Sequence, residues 1–496
     1  RICGSKYLTV LVPESMADSR STISVAPELV ESMSGELSID TDWNALYIDG
    51  EWREADGGET IAVEDPSTRE TVAHVPRGTE ADVDAAYEAA AAAQDDWAAT
   101  PPARRQEAMS DLLENLQGEE AMTIPRRMKG EHIASNVPGK ENIVERVPSG
   151  VVTVISPWNF PLNLSMRAVA PAIAAGNTVV LKPATNTPIV GGLLFAKLLE
   201  DALPDGVLNV VTGRGSEIGD RVASHPESDV VAFTGSTPVG RRVAGMAAEN
   251  LATPAMELGG NNAHVVTEDA DLDEAINSAV FGSFVHQGQV CISINRHLVQ
   301  ESVYDEYVEK LVERAESLPV GSAHDPETVV GPIIDESQRD EMLEYVDETL
   351  DAGATLETGG HTVELDGVED SLVVAPTVLS DVTNDMSAAC FEHFGPIAPV
   401  IPFSDVDEAV ELANDTEYGL SGSVHAGDVG TGKAIADRMD TGMVHVNDQP
   451  VNDEAHVPFS GTNASGMGGY NTTEFLDEIT ETKWVSLQHE PREYPF

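Results

Sequence analysis

From Gly150 to Phe233 the chain alternates continuous apolar, β-branched runs with stretches of helical composition. Val151–Ile155 is the first run. Thr178-Val179-Val180-Leu181 follows, then residues 208–211 and 230–233. Runs without polar alternation are what strands buried on both faces require. Helical segments at 188–202 and 216–225 separate them. This order limits the fold sharply, because parallel neighbours need crossovers, and those crossovers cover both sheet faces. A doubly wound parallel α/β sheet is predicted. Ligands of such sheets bind at the carboxyl ends of the strands. Here those ends carry Pro157-Trp158-Asn159, Lys182 and Gly235-Ser236-Thr237.

The alternation resumes after residue 291. Strands are predicted at 298–300, 373–379 and 443–447, and helices at 304–317, 336–353 and 405–415. They read as a second α/β unit, and 496 residues suffice for two or three domains. Residues 479–487 alternate like a strand, whose edge needs a partner from this chain or a neighbouring subunit. Upstream, short alternating segments flank Asp49-Gly50, a hairpin signal. A turn at 65–68 leads to a strand at 71–75. A helix is predicted over 79–97, with Thr79 as its cap and Glu80 and Asp82 in its first turn. Another starts near Pro101-Pro102 and runs towards Leu116. Residues 117–128 hold a glycine and a proline and show no amphipathic face. Residues 1–40 lack periodicity and read as an extension outside the fold, with Met16 and Met33 as candidate starts. The first dozen residues lack a long apolar core and cleavage site, so no signal peptide is expected.

Charge narrows the partners. There are 85 acidic residues against 28 basic ones, a net charge of −57 spread along the whole chain. Such a surface repels nucleic acid and anionic membranes, and it destabilises the compact state unless salt screens it. The composition is that of cytoplasmic, salt-adapted proteins. No apolar run reaches the 18 residues of a membrane span. Cys3, Cys291 and Cys390 lie far apart without CxxC spacing, so neither a metal cluster nor a disulfide framework is expected.

One stretch carries chemistry. Met256-Glu257-Leu258-Gly259-Gly260 opens it and Gln287-Gly288-Gln289-Val290-Cys291 closes it. A thiol and a carboxyl, each near glycine, are the equipment of covalent acyl transfer. The plain alternatives are a buried structural cysteine, a solvated strand-end carboxylate and, for Asn159, a turn asparagine.

These residues resemble the aldehyde dehydrogenase superfamily. The resemblance runs from about Trp43 to the end. Six motifs carry it in family order: Ser156-Pro157-Trp158-Asn159-Phe160-Pro161, Leu181-Lys182-Pro183-Ala184, Phe233-Thr234-Gly235-Ser236, Glu257-Leu258-Gly259-Gly260, Gly288-Gln289-Val290-Cys291 and Glu392-His393-Phe394-Gly395-Pro396. Within it, His286-Gln287-Gly288-Gln289 and the stretch 446–459 are similar to benzaldehyde- and vanillin-type dehydrogenases.

The resemblance implies two doubly wound α/β domains, a Rossmann-like cofactor domain (41–128 and 149–257) and a catalytic domain (258–462). A small β bridging domain (129–148 and 463–496) would pair across subunits in a homodimer or homotetramer. Cys291 would be the nucleophile, Glu257 the general base and Asn159 the oxyanion donor. For the cofactor, Ser236 would contact the pyrophosphate, Lys182 the adenosine ribose and Glu392 the nicotinamide ribose, with Phe394 walling the ring. Ile155, Ser156, Pro157 and Trp158 would line the groove, with Ala184, Thr185, Gly235, Gly240 and Leu258 beside it. Phe160, Leu164, Phe284, Ile292 and Phe459 would form an apolar pocket for an aromatic or medium aliphatic aldehyde. Thr185 stands where NAD-preferring relatives often carry glutamate, so NAD is expected, with NADP tolerated. Asn261 replaces a common lysine. The segment from 98 to 150 is shorter than in typical relatives. Two further readings remain: a CoA-acylating enzyme, and an inactive relative used for binding.

Overall fold

The computed structural model describes residues 43–113, 119–471 and 473–494, so the expected extension at 1–40 lies outside the described residues. The fold below is that of the unit Asn44–Phe496. The apolar runs pair as predicted. One sheet orders its strands Gly466–Met467, Thr253–Glu257, Val230–Thr234, Val151–Ile155, Thr178–Lys182, Leu208–Val210, Leu46–Ile48 and Glu51–Arg53. The five from Thr253–Glu257 to Leu208–Val210 are parallel. The chain winds outward from Val151–Ile155 in both directions. A crevice therefore opens at the carboxyl ends of Val151–Ile155 and Val230–Thr234, the topological switch point.

Local chemistry explains the flanking elements. Asp49 and Gly50 have φ values of 55° and 75°, the left-handed pair of a tight hairpin. Thr79 caps the helix Glu80–Ala99 in a reciprocal box with Asp82. The helix Pro161–Ala175 is absent from the sequence reading. Asn163, Ser165 and Pro171 interrupt its pattern, yet Pro161 starts it and Gly176, at φ 105°, ends it. Nor did pattern reveal the helix Glu119–Arg127 within the stretch read as formless. Packing against Pro161–Ala175, with Ile124 buried, overrides its weak local signal.

The second sheet orders Thr355–Thr358, Thr377–Ser380, Ile397–Phe403, Ile294–Gln300, Asn262–Val266, Gly422–His425 and His445–Val446. All neighbours are parallel except the first pair. The strand predicted at 373–379 shortens to Thr377–Ser380 after Pro376, and Val373 and Val374 make only isolated bridges. A third, antiparallel sheet joins Glu131–Ala134, Lys140–Pro148 and Thr480–Gln488. The terminal strand finds its partner within this chain, in register from Thr480↔Pro148 to Gln488↔Lys140. No helix among the described residues is long and apolar enough to cross a membrane.

Candidate active site

The link between the two large sheets passes through the site. Thr253–Glu257 ends on Glu257, and Leu258-Gly259-Gly260-Asn261 leads directly into Asn262–Val266. A second approach comes from the helix Leu272–Phe284. Beyond it His286, Gln287 and Gly288 take φ values of 51°, 58° and 68°. The left-handed His286 and Gln287 are costly, Gly288 adopts the same region freely, and the three turn the chain sharply before Cys291. The glycines have a steric reason. A Cβ on Gly260 would stand 2.6 Å from the Cys291 carbonyl oxygen, and one on Gly259 would stand 2.0 Å from Glu392 Oε2. Asn262 Nδ2 donates to the Cys291 carbonyl at 2.9 Å, and the Gly260 N–H donates to Glu392 at 3.1 Å. Base segment, nucleophile turn and Glu392 are thus one packed unit.

Asn159 belongs to the same unit. Its Nδ2 donates to the Gln289 carbonyl at 3.0 Å, and its own carbonyl contacts His286 Nε2 at 2.8 Å. The His286 ring stacks on Phe160, with centroids 4.5 Å apart. Asn261, the residue departing from the family pattern, is buried and donates to the Ala389 and Cys390 carbonyls at 2.8 and 3.2 Å. It ties the base segment to the loop that carries Glu392.

Burial sets the charge states. It pushes the Cys291 thiol up to about 12; Glu392 and Glu257 push the same way, and Arg167 opposes them. Burial also holds Glu257 well above the usual carboxyl range, again against Arg167. Neither Glu257 oxygen has a hydrogen-bond partner among the described residues. Burial raises Glu392 to about 7, while the Gly260 N–H pulls it back.

At the switch point, Ile155 ends one strand and Ser156 follows it, its hydroxyl accepting from Ser165 Oγ at 2.7 Å. Pro157 and Trp158 follow, and Trp158 meets Phe394 edge to face at 5.5 Å. Phe394 itself has φ 48°. Lys182 is buried, which lowers it to about 8, and its Nζ donates to the Pro183 carbonyl at 3.1 Å. An ammonium has two more protons to offer. Ala184 and Thr185 come next, and Thr185 Oγ1 donates to the Gly213 carbonyl at 3.3 Å. Ser236 precedes the helix Thr237–Glu249, is exposed and makes no side-chain cap bond. The first helical N–H groups therefore face outward, a setting for an anion. Gly235 and Gly240 serve packing rather than ligand approach. A Cβ there would stand 2.5 Å from Phe233 and 2.2 Å from Leu258. A buried ammonium, an uncapped helix start and the half-buried Glu392 carboxyl fit a dinucleotide's phosphates and ribose hydroxyls.

Residues 52–122 and 117–485 match the Aldehyde dehydrogenase family. The chain belongs to that family. It is 42% identical to benzaldehyde dehydrogenase YfmT of Bacillus subtilis (strain 168), covering 91% of this chain and 99% of that protein. It is also 42% identical to a vanillin dehydrogenase of Corynebacterium glutamicum, covering 89% and 97%. Among solved structures, betaine aldehyde dehydrogenase of Staphylococcus aureus in complex with NAD+ superposes with a TM-score of 0.87 at 32% identity, covering 91% and 96%. The protein is an NAD(P)-dependent aldehyde dehydrogenase. The family match breaks near residues 117–122, inside the segment read as shortened.

In this aldehyde dehydrogenase the expected pocket residues divide. Phe160 is 36% exposed, while Leu164, Ile292 and Phe459 are buried near the motifs. Phe284 stands apart from these: it is 1% exposed and belongs to an apolar core cluster with Ala279, Tyr307 and Val400. The period of its own helix turns it inward. Sequence reasoning missed Arg167, which lies on the unrecognised helix Pro161–Ala175. Its charge acts on both Cys291 and Glu257. The spacing of Phe160, Leu164 and Arg167 at i, i+4 and i+7 was the available signal.

Proposed function

We propose that this aldehyde dehydrogenase oxidises aromatic aldehydes to carboxylic acids, with Cys291 as nucleophile, Glu257 as general base and Asn159 as oxyanion donor. The observation that carries the reading is the packed unit in which Gly259 and Gly260, directly after Glu257-Leu258, lie against Glu392 and the Cys291 carbonyl. The Cys291 thiol gives its proton to solvent, and the thiolate Sγ attacks the aldehyde carbon. Asn159 Nδ2–H and the Cys291 backbone N–H receive the developing oxyanion. A bound nicotinamide cofactor supplies the hydride acceptor. Hydride loss leaves the acyl group on sulphur as a thioester. Glu257 then takes a proton from water, which attacks the thioester and frees the acid and the thiol. Arg167 favours the ionised forms of both Cys291 and Glu257.

Lys182, Ser236 and Glu392 would hold the cofactor. Thr185 in place of a carboxylate removes repulsion of a 2′-phosphate, so NADP is accepted beside NAD. Phe160, Leu164, Ile292 and Phe459 supply apolar surface for an aromatic ring, and the similarity to benzaldehyde and vanillin dehydrogenases supports that class. The third sheet has free edges at Glu131–Ala134 and Thr480–Gln488, with Trp484 and Ile133 exposed. Edges of this kind invite pairing, which supports a homodimer or homotetramer. Light scattering that returned a monomer would overturn that assembly. The dispersed acidic charge supports a salt-adapted, cytoplasmic protein.

The deciding experiment is NAD reduction with benzaldehyde in multimolar KCl, with benzoate measured in the absence of CoA. Formation of benzoate separates this reading from acyl transfer to CoA. A folded parent that reduced no NAD would point to an inactive relative instead.

A further inference from the structure

The site holds an acid, Asp453, that the chemistry above leaves without a task. Phe160, Leu164 and Arg167 form one stripe along the start of Pro161–Ala175. The Arg167 side chain is 9% exposed and pairs with Asp453 Oδ2. Its guanidinium lies 4.6 Å from the centroid of the Phe459 ring and 6.0 Å from that of Tyr470. Asp453 is held on its other oxygen as well, by Asn471 Nδ2 at 3.1 Å. The carboxylate is therefore fixed in place. A buried guanidinium without a partner would draw in any anion, whereas a paired one presents no net charge.

We propose that Asp453 is a specificity-determining residue: by pairing with Arg167 it cancels the charge at the pocket wall, so that uncharged aldehydes enter and aldehydes carrying a carboxylate do not. The inference rests on the site proposed above at Cys291 and Glu257. An incoming carboxylate would lose its water, find Arg167 already paired and meet Asp453 at short range. Glu392, where ionised, adds repulsion. The Asp453 side chain is 27% exposed, so multimolar salt weakens this selection, and the comparison below is made at one fixed KCl concentration.

The test compares 4-formylbenzoate with 4-formylbenzamide, an uncharged molecule of the same shape. In the parent, kcat/KM should favour the amide by at least about tenfold, the scale of like-charge exclusion. Asp453→Asn keeps the shape and removes the charge. It should narrow the preference at least about tenfold, through a gain on the benzoate. An unchanged or widened ratio, or a parent that takes both aldehydes equally, would overturn the proposal. Should Asp453→Asn fail to fold, Asp453→Ser is read in the same way. A second measurement separates this failure from failure of the underlying reading. The pH midpoint of Cys291 alkylation by iodoacetamide, followed on the Cys291 peptide, should fall in the variant as Arg167 is left unneutralised. If the parent oxidises neither aldehyde, the aromatic-substrate reading falls. The alkylation midpoint then still decides whether Asp453 neutralises Arg167, and an unmoved midpoint counts against it.

Discussion

The cofactor crevice and the nucleophile pocket both lie at strand carboxyl ends, and burial acts on both with opposite consequences. In the crevice it lowers Lys182 only to about 8, so the ammonium stays charged near neutral pH. In the pocket the same force works on acids. It lifts Cys291 to about 12, Glu257 well above its usual range and Glu392 to about 7. One side is charged before a ligand arrives. On the other, Cys291 and Glu257 stay neutral until a cation, a donor or a bound substrate favours ionisation. Arg167 is such a cation, and its pairing with Asp453 offsets it.

Substitutions can break this contrast, beginning with its most sensitive point. Cys291→Ala removes the bond-forming atom and should lower NAD reduction on the order of 10⁴-fold or more, read as initial rate on benzaldehyde. Glu257→Gln keeps the volume and loses the base. Thioester hydrolysis should slow by about 10²–10⁴-fold, while a stoichiometric burst of NADH survives. Loss of the burst as well would assign Glu257 to thiol activation instead. Asn159→Ala should cost about 10²–10³-fold in kcat. Since Asn159 also holds the Gln289 carbonyl, a larger loss that Asn159→Ser failed to rescue would mean that the turn itself had moved. On the charged side the effect is smaller. Thr185→Glu should lower kcat/KM for NADP about tenfold relative to NAD, through repulsion of the 2′-phosphate.

The two sides were not equally legible in the sequence. The parallel core strands were legible because they are continuous β-branched runs, as in Val151–Ile155 and Val230–Thr234. The helix Pro161–Ala175 was not, because Asn163, Ser165 and Pro171 mask its period, and Arg167 disappeared with it. The strand Asn262–Val266 escaped for a related reason: His264 sits at its centre, fully buried, bonded to Ser423 Oγ at 2.7 Å on the neighbouring strand. Polar residues satisfied by a partner distant in sequence carry no local pattern. Glu257 and Cys291 stood out through motif, but the function of Gly259 and Gly260 required the backbone. In the fold they make room for Glu392 and the Cys291 carbonyl. Phe284 shows the converse, an aromatic near a motif that helical period sends into the core.

The smallest effect tests the neutral side without any turnover. Glu257 keeps its proton in the fold at pH values where an unfolded glutamate, near 4.3, has lost it. Between those limits the native state binds more protons, so stability falls as pH rises. The fall begins above about pH 4.3 and ends once pH passes the raised value. Glu257→Gln has no proton to lose there. Its stability relative to the parent should therefore climb with pH, by up to about 1.4 kcal/mol for each pH unit inside that window. Denaturant unfolding of both proteins at pH 5 and pH 8, in the same KCl concentration, reads the gap. An unpaired amide in the variant adds a constant offset, so the slope rather than the absolute difference decides. A gap that stayed constant with pH would mean that Glu257 is already ionised in the resting enzyme, with Arg167 outweighing burial, and that both sides of the site are charged before ligands arrive.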